Sequence, residues 1–342
     1  MKAARLHEYH KPLTMDDVPL PRPGPGQVLV KIAGAGFCHS DLHVIDGEIP
    51  LDVKLPLTLG HENAGYVSAR GAGVTTVKDG DPVVVYGGWG CGLCDACVTG
   101  HEQLCSAPQW AGLSRWDGGY AEDLLVPHEK YLVPLKSLDP KRAAPLADAA
   151  LTPYRAVRKA LRYLEPDYPA IVIGLGGLGQ YGVKFLRLLS GSPIIAVDIS
   201  EDKLQLAKRY GAQHTLNGRD PKIVEKIMDL TGGKGVCASF DFVGSDQTLG
   251  AAIAVTRSLG KVSQVGLAGG TAKLRVLDNS RFEAAFEATL WGTIKELREV
   301  VSLAESGRLE LNDEEFAPLD RINEVIDQLR KGGVKGRVVM TP

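Results

Sequence analysis

Apolar positions along the chain change their spacing near residue 150. Before it, runs are short, alternate apolar with polar, and are broken by Pro and Gly. Residues 27–32 and 63–68 read as strands. Short strands between turn residues predict an irregular, mostly β domain. After residue 150, strand-like and helix-like segments take turns. Ala170-Ile171-Val172-Ile173 is a continuous apolar run, the pattern of a strand covered on both faces. Apolar positions at Leu178, Tyr181, Phe185, Leu186 and Leu189 then predict a helix that stops at Gly191. A strand at 193–198 and a helix at 200–210 follow. Ser200 suits the N-cap of that helix, Glu201 and Asp202 the positive end of its dipole, and Gly211 its stop. A further helix is expected to begin at Asp220-Pro221, a cap followed by Pro at the first helical position. Strands at 236–241, 261–265 and 285–290, helices at about 293–306 and 320–331, and a last strand at 337–340 complete the pattern. Alternating β and α units predict an α/β fold with a parallel doubly wound sheet.

Length adds a second domain to this picture, since 342 residues exceed what one core usually holds. The composition, 44% hydrophobic and 23% charged, is that of an ordinary globular protein. A net charge of -2 offers no basic surface for nucleic acid or an anionic membrane. The residues from Met1 to Arg5 lack the apolar core of a signal peptide, and no apolar run is long enough for a bilayer. A cytoplasmic protein is the expectation.

Two motifs carry chemistry on their own. Gly174-Leu175-Gly176-Gly177-Leu178-Gly179 contains G-x-G-x-x-G between an apolar strand and a helix, the context a dinucleotide site requires. Gly174 permits the tight turn, Gly176 lets the backbone approach a pyrophosphate, and Gly179 allows close helix–strand packing. The helix N-terminus adds free N–H groups for the phosphates. Asp198 ends the next strand, nineteen residues past Gly179. A carboxylate there accepts from both adenosine ribose hydroxyls and repels a 2′-phosphate, which favours NAD(H). The plainer alternative is an aspartate that caps a turn.

Four of the six cysteines, Cys91, Cys94, Cys97 and Cys105, fall within fifteen residues as C-x2-C-x2-C-x7-C. In a reducing compartment such clustering points to metal rather than disulfides. Four thiolates from one loop suit a closed, structural zinc site; an iron–sulfur cluster or free thiols are the alternatives. Cys237 lies in an expected strand, where packing suffices.

Other signals are poor when taken singly. They are Cys38-His39-Ser40-Asp41-Leu42-His43, Gly60-His61-Glu62, Asp148 with Thr152-Pro153-Tyr154, and the Lys335-Gly336-Arg337 tail. Together with the cysteine lobe and the glycine motif, this set closely resembles the zinc-containing medium-chain alcohol dehydrogenases along the whole chain. The resemblance implies a mostly β, GroES-like catalytic domain over 1–148 with a metal lobe at 88–106. It also implies a Rossmann NAD-binding domain over 149–285 and a return to the catalytic domain over 286–342. It implies that Cys38, His61 and Asp148 hold a catalytic zinc, with Glu62 beside it. Many relatives have Cys where this chain has Asp148, a harder anionic ligand. The implied activity moves hydride between NAD(H) and an alcohol or carbonyl through a zinc-bound alkoxide. Ser40 accepts the proton and His43 passes it outward through the nicotinamide ribose. Thr152 and the Val265-Gly266-Leu267 turn flank the nicotinamide, Arg337 contacts a phosphate or is a surface charge, and a homotetramer is the usual assembly.

Three of the four tryptophans lie between residues 89 and 116. Trp110, with Trp89, either lines an apolar substrate pocket suited to aryl or medium-chain substrates or packs the lobe. Rival readings are a polyol dehydrogenase of the same superfamily, a non-catalytic relative and a zinc-free quinone reductase. The cysteine lobe counts against the first; Cys38, His61 and Ser40 count against the other two.

Overall fold

The computed structural model describes residues 1–272 and 283–342. The chain forms two compact units, one from Met1–Leu151 with Trp291–Pro342, the other from Thr152–Leu290.

Among the described residues, the second unit carries a parallel sheet of six strands: β1 (Ala170–Ile173), β2 (Ile194–Asp198), β3 (His214–Asn217), β4 (Val236–Asp241), β5 (Thr256–Gln264) and β6 (Ala285–Ala288). Their spatial order is 3-2-1-4-5-6, the doubly wound Rossmann order. The reversal between β1 and β4 leaves the carboxyl ends of these strands as the place where such sheets bind ligands. Ile171, Ile173, Ile195, Val197, Ile227, Val236 and Val262 form a core against this sheet. That burial explains the uninterrupted apolar run of β1.

The first unit is built on mostly antiparallel sheets. Its central strand, Val28–Phe37, pairs with Glu62–Arg70, Asp123–Val126 and Val338–Thr341. The last of these returns from the far end of the chain, with Val338 opposite Phe37. This pairing carries the strand five residues past the expected 27–32. Alternation weakens where Gly and Ala replace larger residues, so sequence pattern alone could not mark its end.

The helix expected at Asp220-Pro221 starts at Ile223 instead. Asp220 Oδ1 accepts the Lys222 N–H at 2.8 Å, which closes a turn ahead of the helix rather than capping it. Ser200 stands at the N-cap of Glu201–Tyr210 without a side-chain capping bond, and Gly211 ends that helix at φ 112°. Among the described residues no helix is long and apolar enough to cross a membrane.

Candidate active site

In the first unit, Val28–Phe37 and Glu62–Arg70 run side by side with Gly36 opposite Glu62. Cys38 follows the first strand and His61 precedes the second, so neighbouring strands deliver both side chains to one edge. Asp148 arrives from elsewhere, at the end of the tight helical turn Ala144–Ala147. The ligating atoms of Cys38, His61, Glu62 and Asp148 lie within 4.8 Å of one another, and all four residues are buried. Asp148 Oδ2 is 3.7 Å from Cys38 Sγ and 3.5 Å from His61 Nε2.

The electrostatics of this cluster call for a cation. Burial favours a neutral His61, yet Asp41 and Asp148 beside it raise its pKa well above the ordinary value. Burial also opposes the Cys38 thiolate, but Arg337 and His61 outweigh it and lower the thiol's pKa. Glu62 is pushed well above the usual carboxylate range by burial, with Asp148 and Cys38 adding to it and Arg337 opposing. Glu62 Oε2 is buried without a hydrogen-bond partner. A thiol, an imidazole and carboxylates that converge out of water are a donor set that fits zinc. The His61 ring is turned by Asp41, whose Oδ1 lies 3.3 Å from Nδ1, which leaves Nε2 facing the cluster.

Arg337 is not a surface charge. It is buried, donating to Glu62 Oε1 at 2.7 Å and to the Phe37 carbonyl at 3.1 Å. Ser40 and His43 lie on the helix His39–Ile45, three residues apart and hence on one face. Ser40 Oγ is 3.7 Å from Cys38 Sγ, and His43 Nδ1 is 2.8 Å from Glu48 Oε2.

The four clustered cysteines also come together, with all four sulfurs within 4.8 Å of one another. Cys94 Sγ is 3.5 Å from Cys97 Sγ and 3.8 Å from Cys105 Sγ. Thiolates about 2.3 Å from a tetrahedral zinc would stand about 3.8 Å apart, so the spacing fits. Backbone N–H groups of Ser106 and Cys97 favour the Cys94 thiolate, lowering its pKa to about 6.

In the second unit, Gly174 adopts φ 85° at the end of β1. A Cβ on Gly176 would meet nothing within 4 Å, so the loop backbone is open to a close-fitting ligand. A Cβ on Gly179 would stand 1.8 Å from the Gly174 carbonyl. The helix Gly177–Leu189, with Leu178 in its first turn, points its N-terminus at this opening. Asp198 Oδ2 accepts the Leu175 N–H at 2.6 Å and Oδ1 the Ser200 N–H at 2.9 Å. The carboxylate is thereby fixed beside the glycine loop. Val265 follows β5, its N–H bonded to the Asp241 carbonyl, and Thr152 is buried in the helix Leu151–Ala160. An open glycine turn at a helix N-terminus with an adjacent carboxylate fits a dinucleotide.

Comparison with known proteins agrees with this chemistry. Residues 24–137 match the family described as "Alcohol dehydrogenase GroES-like domain", and residues 177–306 match "Zinc-binding dehydrogenase". A NAD-dependent alcohol dehydrogenase of Sulfurisphaera tokodaii is 40% identical, with 100% of both chains covered. The chain belongs to the zinc-dependent medium-chain alcohol dehydrogenases. The solved alcohol dehydrogenase of Aeropyrum pernix superimposes with a TM-score of 0.93 at 40% identity over 100% of both chains. An acetophenone reductase from Geotrichum candidum, solved with NAD, gives 0.88 at 32% identity, covering 100% of this chain and 97% of that one. As a member of this family the protein is an NAD-dependent enzyme that uses zinc and moves hydride between NAD(H) and an alcohol or its carbonyl partner. The GroES-like match, residues 24–137, lies within the first unit, and the doubly wound sheet lies within the second.

Some residues around this alcohol dehydrogenase's zinc cluster escape sequence reading. Asp41 is fully buried and accepts from the Cys38 N–H at 2.9 Å and the Tyr120 hydroxyl at 2.7 Å, besides its contact with His61. A carboxylate three residues after a helix N-cap was the one available signal, a capping box with the unusual Cys38 as its cap. Trp291 sets its ring edge-on to His61, with centroids 5.6 Å apart, and donates its indole N–H to the Ala147 carbonyl at 2.8 Å. Trp110 packs edge-on against Trp291, one ring further from His61. The Trp89 side chain is fully buried against Trp116 and Tyr131, as the packing alternative for this residue expects.

Proposed function

We propose that the residues gathered around Cys38 perform this reaction on a primary or secondary alcohol, or on the matching aldehyde or ketone. The observation that carries the reading is the buried convergence of Cys38, His61, Glu62 and Asp148 within 4.8 Å. Cys38, His61 and Asp148 would hold the catalytic zinc, and Cys91, Cys94, Cys97 and Cys105 the structural one. When bound, the catalytic zinc supplies a Lewis acid that acidifies the substrate hydroxyl, and NAD⁺ supplies the hydride acceptor. Ser40 would take the hydroxyl proton, and His43 would pass it outward. Glu62, drawn back by Arg337, keeps a free oxygen beside the ligands. Gly174, Gly176, Gly177, Leu178 and Gly179 cradle the pyrophosphate, and Asp198 selects NAD(H) through the adenosine ribose. Thr152 and Val265 flank the nicotinamide. For Arg337 we keep the cofactor-phosphate contact that the family resemblance implies. We place the protein in the cytoplasm, as a homotetramer or the dimer such tetramers contain.

Asp148→Ala tests the ligand set. We expect a folded protein with half its zinc that no longer forms NADH from an alcohol; full zinc and full activity would remove Asp148 from the site.

For the substrate, we propose an aryl or medium-chain molecule against Trp110. Its indole Nε1 is buried without a partner, which leaves a donor for a bound molecule or water. The similarity to an acetophenone reductase favours the same class. Trp110→Ala should lower the kcat/KM ratio of aryl over short aliphatic alcohols by about tenfold. An unchanged ratio would return Trp110 to packing.

A further inference from the structure

We propose that Glu48 completes the proton path behind His43, orienting its imidazole and taking the proton from Nδ1. The inference rests on His43 being the outward end of the relay.

Backbone geometry sets this pair. The helix His39–Ile45 is capped by Asp46, and Gly47 follows in the left-handed region at φ 67°. Gly47 N–H donates to the Val44 carbonyl at 3.1 Å, and Glu48 N–H donates to the His43 carbonyl at 2.8 Å. These two bonds make a Schellman motif, in which the second residue past the cap lies against the third from the helix end. Apolar side chains frequently meet at those two places. Here they are His43 and Glu48, and the contact is a 2.8 Å hydrogen bond between Nδ1 and Oε2. An ordinary surface ion pair must order two free side chains to form. In this one the main-chain bond has already brought the two residues together.

Exposure follows the direction the proton must travel. The His43 side chain is 26% exposed and that of Glu48 is 62% exposed. The charges nearby form a fixed frame. Arg330 holds both oxygens of Asp46 at 2.8 and 2.6 Å and also interacts electrostatically with Glu48 and Asp327. His10 stands 3.8 Å from Asp46. Arg330 is therefore the cation at the centre of this frame.

An imidazole that donates Nδ1–H to a carboxylate presents Nε2 as an acceptor. In alcohol oxidation Nε2 takes the incoming proton, the Nδ1 proton moves to Glu48, and Glu48 gives it to water. The ring then regains its first tautomer by exchange with water before the next turnover. Carbonyl reduction runs the same path inward.

The test is the first-turnover rate of NADH formation by stopped flow, in dilute buffer near neutral pH, for the zinc-loaded enzyme. Glu48→Gln, His43→Gln and the double variant are compared with wild type. Glu48→Gln should be slower by about tenfold, raised imidazole buffer should restore it, and the double variant should match His43→Gln. A full rate for Glu48→Gln beside a slow His43→Gln would overturn the role of Glu48 and leave the relay standing. A full rate for His43→Gln would remove the relay, and this proposal with it. A Glu48→Gln loss that buffer does not restore, or that adds to the His43 loss, would make Glu48 a structural residue and overturn the proposal.

Discussion

Asp41 has no exposed surface, yet its carboxylate is met by three donors: the Cys38 N–H, the Tyr120 hydroxyl and the His61 ring. A buried charge is costly unless its lone pairs are satisfied, so each donor matters. Through two of them Asp41 touches two proposed zinc ligands, the backbone of Cys38 and the side chain of His61. Tyr120 supplies the third, its ring stacked on Phe37 with centroids 5.8 Å apart. Burial raises the pKa of the phenol and Asp41 raises it further, so Tyr120 stays a hydroxyl donor. Tyr120→Phe keeps the stacked ring and deletes one donor. We expect zinc to leave the Cys38 cluster about tenfold faster in the presence of a chelator, with the four-cysteine site unchanged. An unaltered release rate would show that Asp41 orients His61 without help from Tyr120. At this scale the sequence is legible only where spacing is the signal. The four cysteines declare themselves because their ligand geometry is local. Asp41 gives no hint that its carboxylate also reaches a histidine 20 residues on and a tyrosine 79 residues on.

At the scale of elements, the glycine turn between β1 and the helix Gly177–Leu189 separates two demands that one motif combines. Gly176 faces open space, whereas a Cβ at Gly179 would collide with the Gly174 carbonyl. Gly176→Ala should therefore leave thermal stability near wild type and weaken NAD⁺ binding, because the methyl group occupies the room the pyrophosphate needs. Gly179→Ala should lower the melting temperature even without cofactor, since helix and strand must move apart. Melting curves with and without NAD⁺ check both. A Gly176→Ala protein that binds NAD⁺ as tightly as wild type would take the pyrophosphate away from that loop. Elements of this unit are readable in sequence because burial on both faces leaves an unbroken apolar signature, as in β1. Element ends are less so. Val28–Phe37 is prolonged by a partner from the far end of the chain, and Asp220 spends its capping oxygen on a turn.

For the whole molecule, ligands are partitioned between the units. Both metal clusters lie in the unit of Met1–Leu151 and Trp291–Pro342, and the glycine loop with Asp198 lies in that of Thr152–Leu290. The Cys38 cluster spans 110 residues of sequence, so no local pattern could have assembled it; family resemblance did so, and folding brings the side chains together. A ligand stabilises the state it binds, by about 2.7 kcal/mol at a hundredfold excess over Kd. For units of this size that corresponds to a rise of roughly 5–10 °C in melting temperature. NAD⁺ should thus shift the transition of the second unit, and removal of zinc should lower that of the first. Differential scanning calorimetry of the intact chain is expected to resolve two transitions, one answering to NAD⁺ and the other to a chelator. The opposite result is a single transition displaced by either agent. It would mean that the units unfold as one cooperative body, so that zinc bound in the first also stabilises the glycine loop in the second.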